Sequence, residues 1–413
     1  MGKHTLVKLT VVALAALGLA LWVGQSRQPG QTMPGDVALV PGLAAAINDV
    51  TKLTMTGAGK LRLVTLERRE KGWVVAEREG HPADVAKVRE LLLKLADAKL
   101  VEAKTANPEL HAKLGVEDIA GKDAKGTLLG IEGLAKPVAI VVGNYSGRAG
   151  ETTFVRRDGE AQAWLAKGNL SLDPNAANWL LKDLFDIPSN RIAEVRIEHA
   201  GKVVHAVKDA PEDPNYALQD LPKGREPASD FVANALASVP STLRFDDVVP
   251  AEKAEPPADA WQATYTGFAG LVLKATAWQA DGKDYARFAA SFDEARANAF
   301  VAKDQAKEKA DYEAAKLAAS MTPAAAPSPG ATPAAVPSPG ATPAPAAALP
   351  EAPLAVTDPA KDAAEKLDAV RAEVKSINAR TEGWTFVLPA FKFTNITKAP
   401  EDLLKPLDAK KPG

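Results

Sequence analysis

One order of strands and turns runs through this chain twice, about 140 residues apart, and any fold must accommodate both copies. In the first, Val50, Leu53 and Met55 lead to a Gly57-Ala58-Gly59 turn, and Leu61 to Leu66 alternates apolar with polar residues. Gly72-Trp73-Val74-Val75 then begins a third strand. Period-two alternation is what a strand with one buried face requires. Asp84, after His81-Pro82-Ala83, is placed to cap a helix carrying Val85, Val88, Leu91, Leu92 and Leu95 on one face. Val101 to Thr105 returns as a strand, so the unit is β-β-β-α-β. In the second copy, Ile192, Val195 and Ile197 precede an Ala200-Gly201 turn and Val203 to Val207, and Tyr216-Ala217-Leu218 stands where Trp73 stood. Ser229, after Pro227-Ala228, is the expected cap of a helix bearing Phe231, Val232, Leu236 and Val239, with Leu243 to Val249 as the returning strand.

Each copy continues into a β-meander. Thr127 to Glu132, Pro137 to Gly143, Thr153 to Arg157 and Gln162 to Leu165 are the strands of the first. Trp261 to Phe268, Leu271 to Gln279 and Tyr285 to Phe292 serve the second, which Gly383 to Leu388 completes after a long insertion. The expected fold class is therefore α+β: two tandem repeats of β-β-β-α-β plus antiparallel β-meander.

The insertion is Ala/Lys/Glu-rich and helical in pattern over Asp293 to Met321 and again over Asp358 to Arg380. Ala363, Leu367, Val370, Val374 and Ile377 follow 4-3-4-3 spacing, the narrow seam of a helix packing on a helix in coiled-coil fashion. Between the helices Pro-Ser-Pro-Gly-Ala-Thr-Pro-Ala occurs twice, a tract that cannot build a core and is expected to be disordered or partly polyproline II. Because the flanking strands should be neighbours, the helices must leave and return at one place. An antiparallel helical-hairpin arm about 35 to 40 Å long follows, with two surface helices folded back on the body as the alternative. Leu367, Val370, Val374 and Ile377 are the candidate partner-contact residues.

The first residues carry the only membrane signal. Lys3 and Lys8 precede an apolar run from Leu9 to Gly24, and only Arg27 flanks the far end. Sixteen helical residues rise roughly 24 Å, enough for a thin bilayer, and the lysines place the N-terminus inside. The reading is a single-pass anchor in the cytoplasmic membrane, with the bulk of the chain periplasmic or otherwise extracytoplasmic. A cleaved secretory signal is the alternative, weakened by the poor small-x-small match at Gly24-Gln25-Ser26. The expected organisation is an anchor at 1–24 and a tether at 25–43. The first repeat follows at 44–172, and the second at 173–292 is completed by 381–413. The arm occupies 293–380, with its Pro/Ala linker at 321–357.

Composition narrows the chemistry. The formal net charge is −2 with no basic stripe, so nucleic acid has no electrostatic footprint. The absence of cysteine removes disulfides, thiolate nucleophiles and Cys-based zinc sites. Of five histidines, His4 lies in the leader, His81 in a turn and His111 in a polar helix. His199 and His205 are separated across a hairpin that pairs them with Lys202 and Arg196. Gly143 to Gly150 is glycine-rich but matches neither nucleotide fingerprint and precedes a strand, so it reads as a hairpin loop. Asp246 and Asp247 are adjacent on a strand and point to opposite faces, which defeats a shared-proton dyad. Trp73, Trp179, Trp261 and Trp384 read as core. No catalytic, cofactor-binding or metal-ligating set is expected.

The anchor, Leu61 to Leu66, Gly72-Trp73-Val74, Pro82-Ala83-Asp84 with its leucine helix, Leu114-Gly115-Val116, Phe154-Val155-Arg156 and Trp179-Leu180 together resemble the domain-of-unknown-function 4340 family. The likeness runs from about Val50 to Asn190 and is looser over the second copy. Val116 stands where leucine is usual, and the Ala/Pro insertion lies outside the family pattern. The resemblance implies a membrane-anchored protein often encoded beside ABC-transporter permeases of the gliding-motility auxiliary type, with no established activity. A non-enzymatic accessory or scaffold subunit of an ABC-type transport system is the expectation. An extracytoplasmic glycan- or lipid-binding module is the alternative.

Overall fold

A computed structural model describes residues 37–147, 150–321 and 351–406. The expected anchor at 1–24, most of the tether, and residues 322–350 of the linker lie outside the described residues. Among the described residues no helix is long and apolar enough to cross a membrane. The chain is α+β and divides into two compact units between Lys182 and Asp183. Residues 173–182 stay with the first unit because Ala83 bridges Leu180 and the Asp84 N–H donates to the Trp179 carbonyl at 2.7 Å.

The first unit is a ten-stranded sheet. Its strands are β1 (Val37–Ala38), β2 (Lys52–Thr56), β3 (Arg62–Arg69), β4 (Gly72–Val75), β5 (His81–Pro82), β6 (Lys99–Ala103), β7 (Thr127–Glu132), β8 (Val138–Ser146), β9 (Thr152–Arg157) and β10 (Ala163–Lys167). They lie in the order β1-β6-β10-β9-β8-β7-β2-β3-β4-β5, and every pairing is antiparallel. Alternation drives the placement: in β2, Leu53 and Met55 are buried while Lys52, Thr54 and Thr56 are half-exposed. Helix α1 (Val85–Asp97) begins where expected, the Asp84 carboxylate accepting from the Ala86 and Lys87 N–H groups. It buries Val88, Leu91, Leu92 and Leu95, worth about 1.5–3 kcal/mol each. Val85, expected on that face, is instead 52% exposed. A short α2 (Pro108–Leu114) follows β6.

The second unit holds β11 (Asp183–Phe185), β12 (Ile192–His199), β13 (Lys202–Val207), β14 (Ala217–Gln219), β15 (Leu243–Arg244), β16 (Asp247–Pro250), β17 (Trp261–Gly267), β18 (Leu271–Ala280), β19 (Lys283–Phe292) and β20 (Trp384–Val387). Eight form a sheet ordered β14-β13-β12-β17-β18-β19-β20-β16, and β11 pairs with β15. Read across the sheet from its β16 edge, β16-β20-β19-β18-β17-β12-β13-β14 follows the same path as β6-β10-β9-β8-β7-β2-β3-β4. In the first unit β1 covers the outer edge of β6. At the corresponding edge of β16, Asp247 bonds the Val248 N–H and Pro250 has none, which blunts it against further pairing.

Two expectations for this unit are corrected. Ser229 caps no helix: the segment turns through 229–233, and α3 is only Asn234–Ala237, without a side-chain cap. The chain is pinned at Pro227 by a bridge to Leu404, and Asn234 directs its amide to Pro214 and Asn215 and its carbonyl to the Tyr216 N–H. Phe231 is 66% exposed as a result. Nor is Leu243 to Val249 one strand. It breaks at Phe245, β15 turning to β11 and β16 to β20.

The insertion supplies α4 (Glu294–Met321), α5 (Leu354–Thr357) and α6 (Pro359–Thr381), and α7 (Ala390–Ile396) follows β20. The far end of the expected disordered linker is thus a helical turn with Ala355 buried. As required, β19 and β20 are neighbours, but only through Tyr285↔Val387 and Ala286↔Phe386.

Candidate functional site

The short β19–β20 ladder leaves the end of β19 without a strand, and a helix takes its place. Asn378, on α6, donates its side-chain N–H to the Ala290 carbonyl at 2.8 Å and accepts from the Ala290 N–H at 2.7 Å. A carboxamide carries one donor and one acceptor side by side, so it substitutes for one residue of a neighbouring strand. One turn earlier Glu373 pairs with both terminal nitrogens of Arg191, at 2.9 and 2.5 Å, and that pairing raises the arginine pKa. These contacts fasten α6 to the second unit's sheet.

The two long helices then fasten to each other. Arg371 meets Glu294 at 3.2 Å, and Lys366 meets Asp304 at 2.6 Å and Glu308 at 2.7 Å. Rising numbers on α6 meet falling numbers on α4, so the pair is antiparallel. Asp362 adds a third carboxylate to Lys366 at 3.1 Å and receives Gln305 at 2.8 Å. Partial burial works against the Lys366 charge, but the three carboxylates outweigh it and raise its pKa. The Gln305 amide, then Lys366, hold the Asp362 carboxyl below its ordinary value. A cation among three anions is better determined than a single exposed pair, which is worth only about 0–1 kcal/mol.

The expected contact seam lies largely inside its own unit. Val370 and Ile377 are buried, and Leu367 and Val374 half-buried, because α6 turns that stripe toward its own unit. The helices fold back at their base. Beyond Glu308, α4 continues to Met321, about 20 Å at about 1.5 Å per residue. Lys309 and Lys316 are exposed on that stretch, and Leu317 is 60% exposed.

The other candidates resolve into structure. His199 and His205 face Lys202 and Arg196 across the hairpin, as expected. His199 stacks on Trp261 with ring centroids 3.9 Å apart. His205 lies between Glu194 at 3.0 Å and Asp220 at 3.2 Å, and Glu194 also meets Arg296, a cluster with no local sequence signature. His111 is buried on the Ala161 carbonyl. Burial lowers the His81 pKa to about 4. The glycine-rich stretch expected to be a hairpin loop is still strand from Gly143 to Ser146, within β8, and its residues 148 and 149 lie outside the described residues; a Cβ on Gly143 would lie 2.4 Å from the Leu114 carbonyl oxygen, a packing reason for that glycine. Asp246 is exposed and Asp247 half-buried at the head of β16. Trp73 and Trp179 are buried, Trp261 and Trp384 half-buried. Among the described residues no group of three or more His, Asp or Glu side chains is placed to hold a metal ion.

A family model described as domain of unknown function (DUF4340) matches residues 73–261, from Trp73 in β4 to the first residue of β17. No curated protein and no solved structure matches the chain.

Proposed function

From the premise that residues 73–261 form a domain of the DUF4340 family, we propose that this is a non-enzymatic, membrane-anchored envelope protein serving an ABC-type transport system as accessory or scaffold subunit. The apolar run at Leu9 to Gly24 is its anchor, with the N-terminus inside and the bulk of the chain outside the cytoplasm. Its body arose by duplication of one α+β unit, a reading supported by the shared eight-strand path of the two sheets. The observation that carries the docking role is the helix pair inserted between β19 and β20. Its base is fixed by Asn378, Glu373 and the Lys366 cluster, while α4 runs on with exposed polar surface. A stiff, exposed helix loses little conformational entropy on binding, as a docking element requires. The contact surface is the outer face of α4 rather than the buried seam. The partner is a permease or its extracytoplasmic subunit.

The test is in-cell crosslinking with affinity purification, comparing the full chain with Lys309→Glu/Lys316→Glu. Both lysines are exposed, so the fold is retained. Recovery of a permease or ATPase by the first and its loss by the second supports the proposal. Equal recovery moves the contact off α4. No partner in either refutes the docking role and favours the glycan- or lipid-binding alternative.

A further inference from the structure

A cavity of about 450 Å³ opens on the first unit between β4, the start of α1 and the turn before β2. Its apolar lining includes Trp73, Leu92, Ile47 and two side chains with no core to enter, Val85 at 52% and Leu93 at 44% exposure. α1 therefore carries more apolar surface than its packing on the sheet consumes. Val85, Arg89, Leu92 and Leu93 recur at spacings of four, three and one, placing them along one side of the helix. The charged residues of the lining are Arg68 and Arg89, both exposed, and no carboxylate is among them. Arg68 is oriented by a hydrogen bond to the Asn48 carbonyl.

A cavity that sets the exposed apolar side chains of Val85 and Leu93 beside two guanidinium groups, with no anion in its lining, is complementary to a molecule with a hydrocarbon tail and one anionic head. Guanidinium groups bind carboxylate and phosphate oxygens through paired N–H donors, and each methylene of a tail that leaves water adds to the affinity. We propose that this cavity binds an anionic lipid. Its acyl chain lies on Trp73, Leu92, Leu93 and Val85, and its carboxylate or phosphate sits between Arg68 and Arg89. The site is separate from the helix pair of the second unit and stands whether or not that pair docks a partner.

Trp73 supplies the readout, because bromine on an acyl chain quenches an indole in contact with it. The purified full chain is titrated with dibromostearate below its micelle concentration, alongside the brominated alcohol of the same length. Saturable quenching by the acid, at least tenfold weaker for the alcohol and at least tenfold weaker in Arg68→Gln/Arg89→Gln, supports the proposal. A Trp73→Phe chain then loses the saturable component. Vesicles of brominated phosphatidylglycerol separate the two sources. Quenching there identifies a membrane phospholipid as the ligand, and quenching by the dissolved acid alone identifies a free fatty acid. No saturable quenching, equal quenching by the alcohol, or no effect of the arginine substitutions overturns the proposal. Both arginines are surface residues, and an unchanged unfolding midpoint shows that any loss is loss of binding.

Discussion

Replacing Asn378 with leucine tests whether a helix side chain completes the second sheet. Leucine is close in volume and keeps the helix, but it can neither donate to the Ala290 carbonyl nor accept from its N–H. Both bonds are short, at 2.8 and 2.7 Å, and Ala290 is 8% exposed. A buried backbone group left unpaired costs about 1–3 kcal/mol. Asn378 itself is half-buried, so water relieves part of that penalty, and the two groups together cost about 3 kcal/mol. For a unit of this size that lowers the thermal midpoint by about 6 to 12 °C. Asn378→Asp keeps the acceptor but sets a carboxylate against a carbonyl, so it also destabilises while still protecting the Ala290 N–H. The assay is thermal or urea unfolding of the full chain, joined to amide hydrogen exchange at Ala290, which should accelerate in Asn378→Leu. A loss below about 0.5 kcal/mol with unchanged exchange at Ala290 would show that the amide is not a strand substitute.

Three further outcomes follow from buried polar groups. His81 is buried with its pKa lowered to about 4, so between pH 6.5 and about 4 the unfolded chain binds a proton that the fold does not; stability should fall by about 3 kcal/mol as pH drops through that window, and His81→Gln should flatten the urea-midpoint profile. Lys392 donates to the carbonyls of Ser238, Val239 and Ser241 at 2.8, 3.0 and 2.6 Å, and Lys392→Met should cost about 2–4 kcal/mol in chemical unfolding, with a loss under about 1 arguing that water reaches those carbonyls. The Tyr265 hydroxyl is fully buried without a hydrogen-bond partner among the described residues, so Tyr265→Phe should leave the thermal midpoint unchanged or raise it; a clear drop would reveal a bound water.

The hairpins and meanders were legible because period-two burial is written locally. Thr127 to Glu132 and the Asp84 cap fall where alternation and capping chemistry put them. The helix expected to start at Ser229 was not legible, since Ser229 and Phe231 make a plausible start to a helix that is lost when Pro227 is tied to Leu404. Val85 fits the core stripe by spacing, but the first turn of α1 overhangs the sheet and leaves it at the rim of a cavity. The Asn378 contact spans 88 residues and leaves no trace in the residues around either end. The two arginines of the cavity likewise come from a strand and a helix that only the folded sheet brings together.

The insertion also sets a timetable for synthesis. β19 ends at Phe292, and the strand that must lie beside it begins at Trp384, so translation at about 5–20 residues per second separates them by about 5 to 18 seconds. Through that interval β19 and β16 each lack the neighbour they will share, and the nascent second unit presents two open edges with Phe288 and Val248 not yet covered. Those open edges are closed only when β20 emerges, and truncation anywhere in α6 omits β20 and leaves the second sheet unfinished.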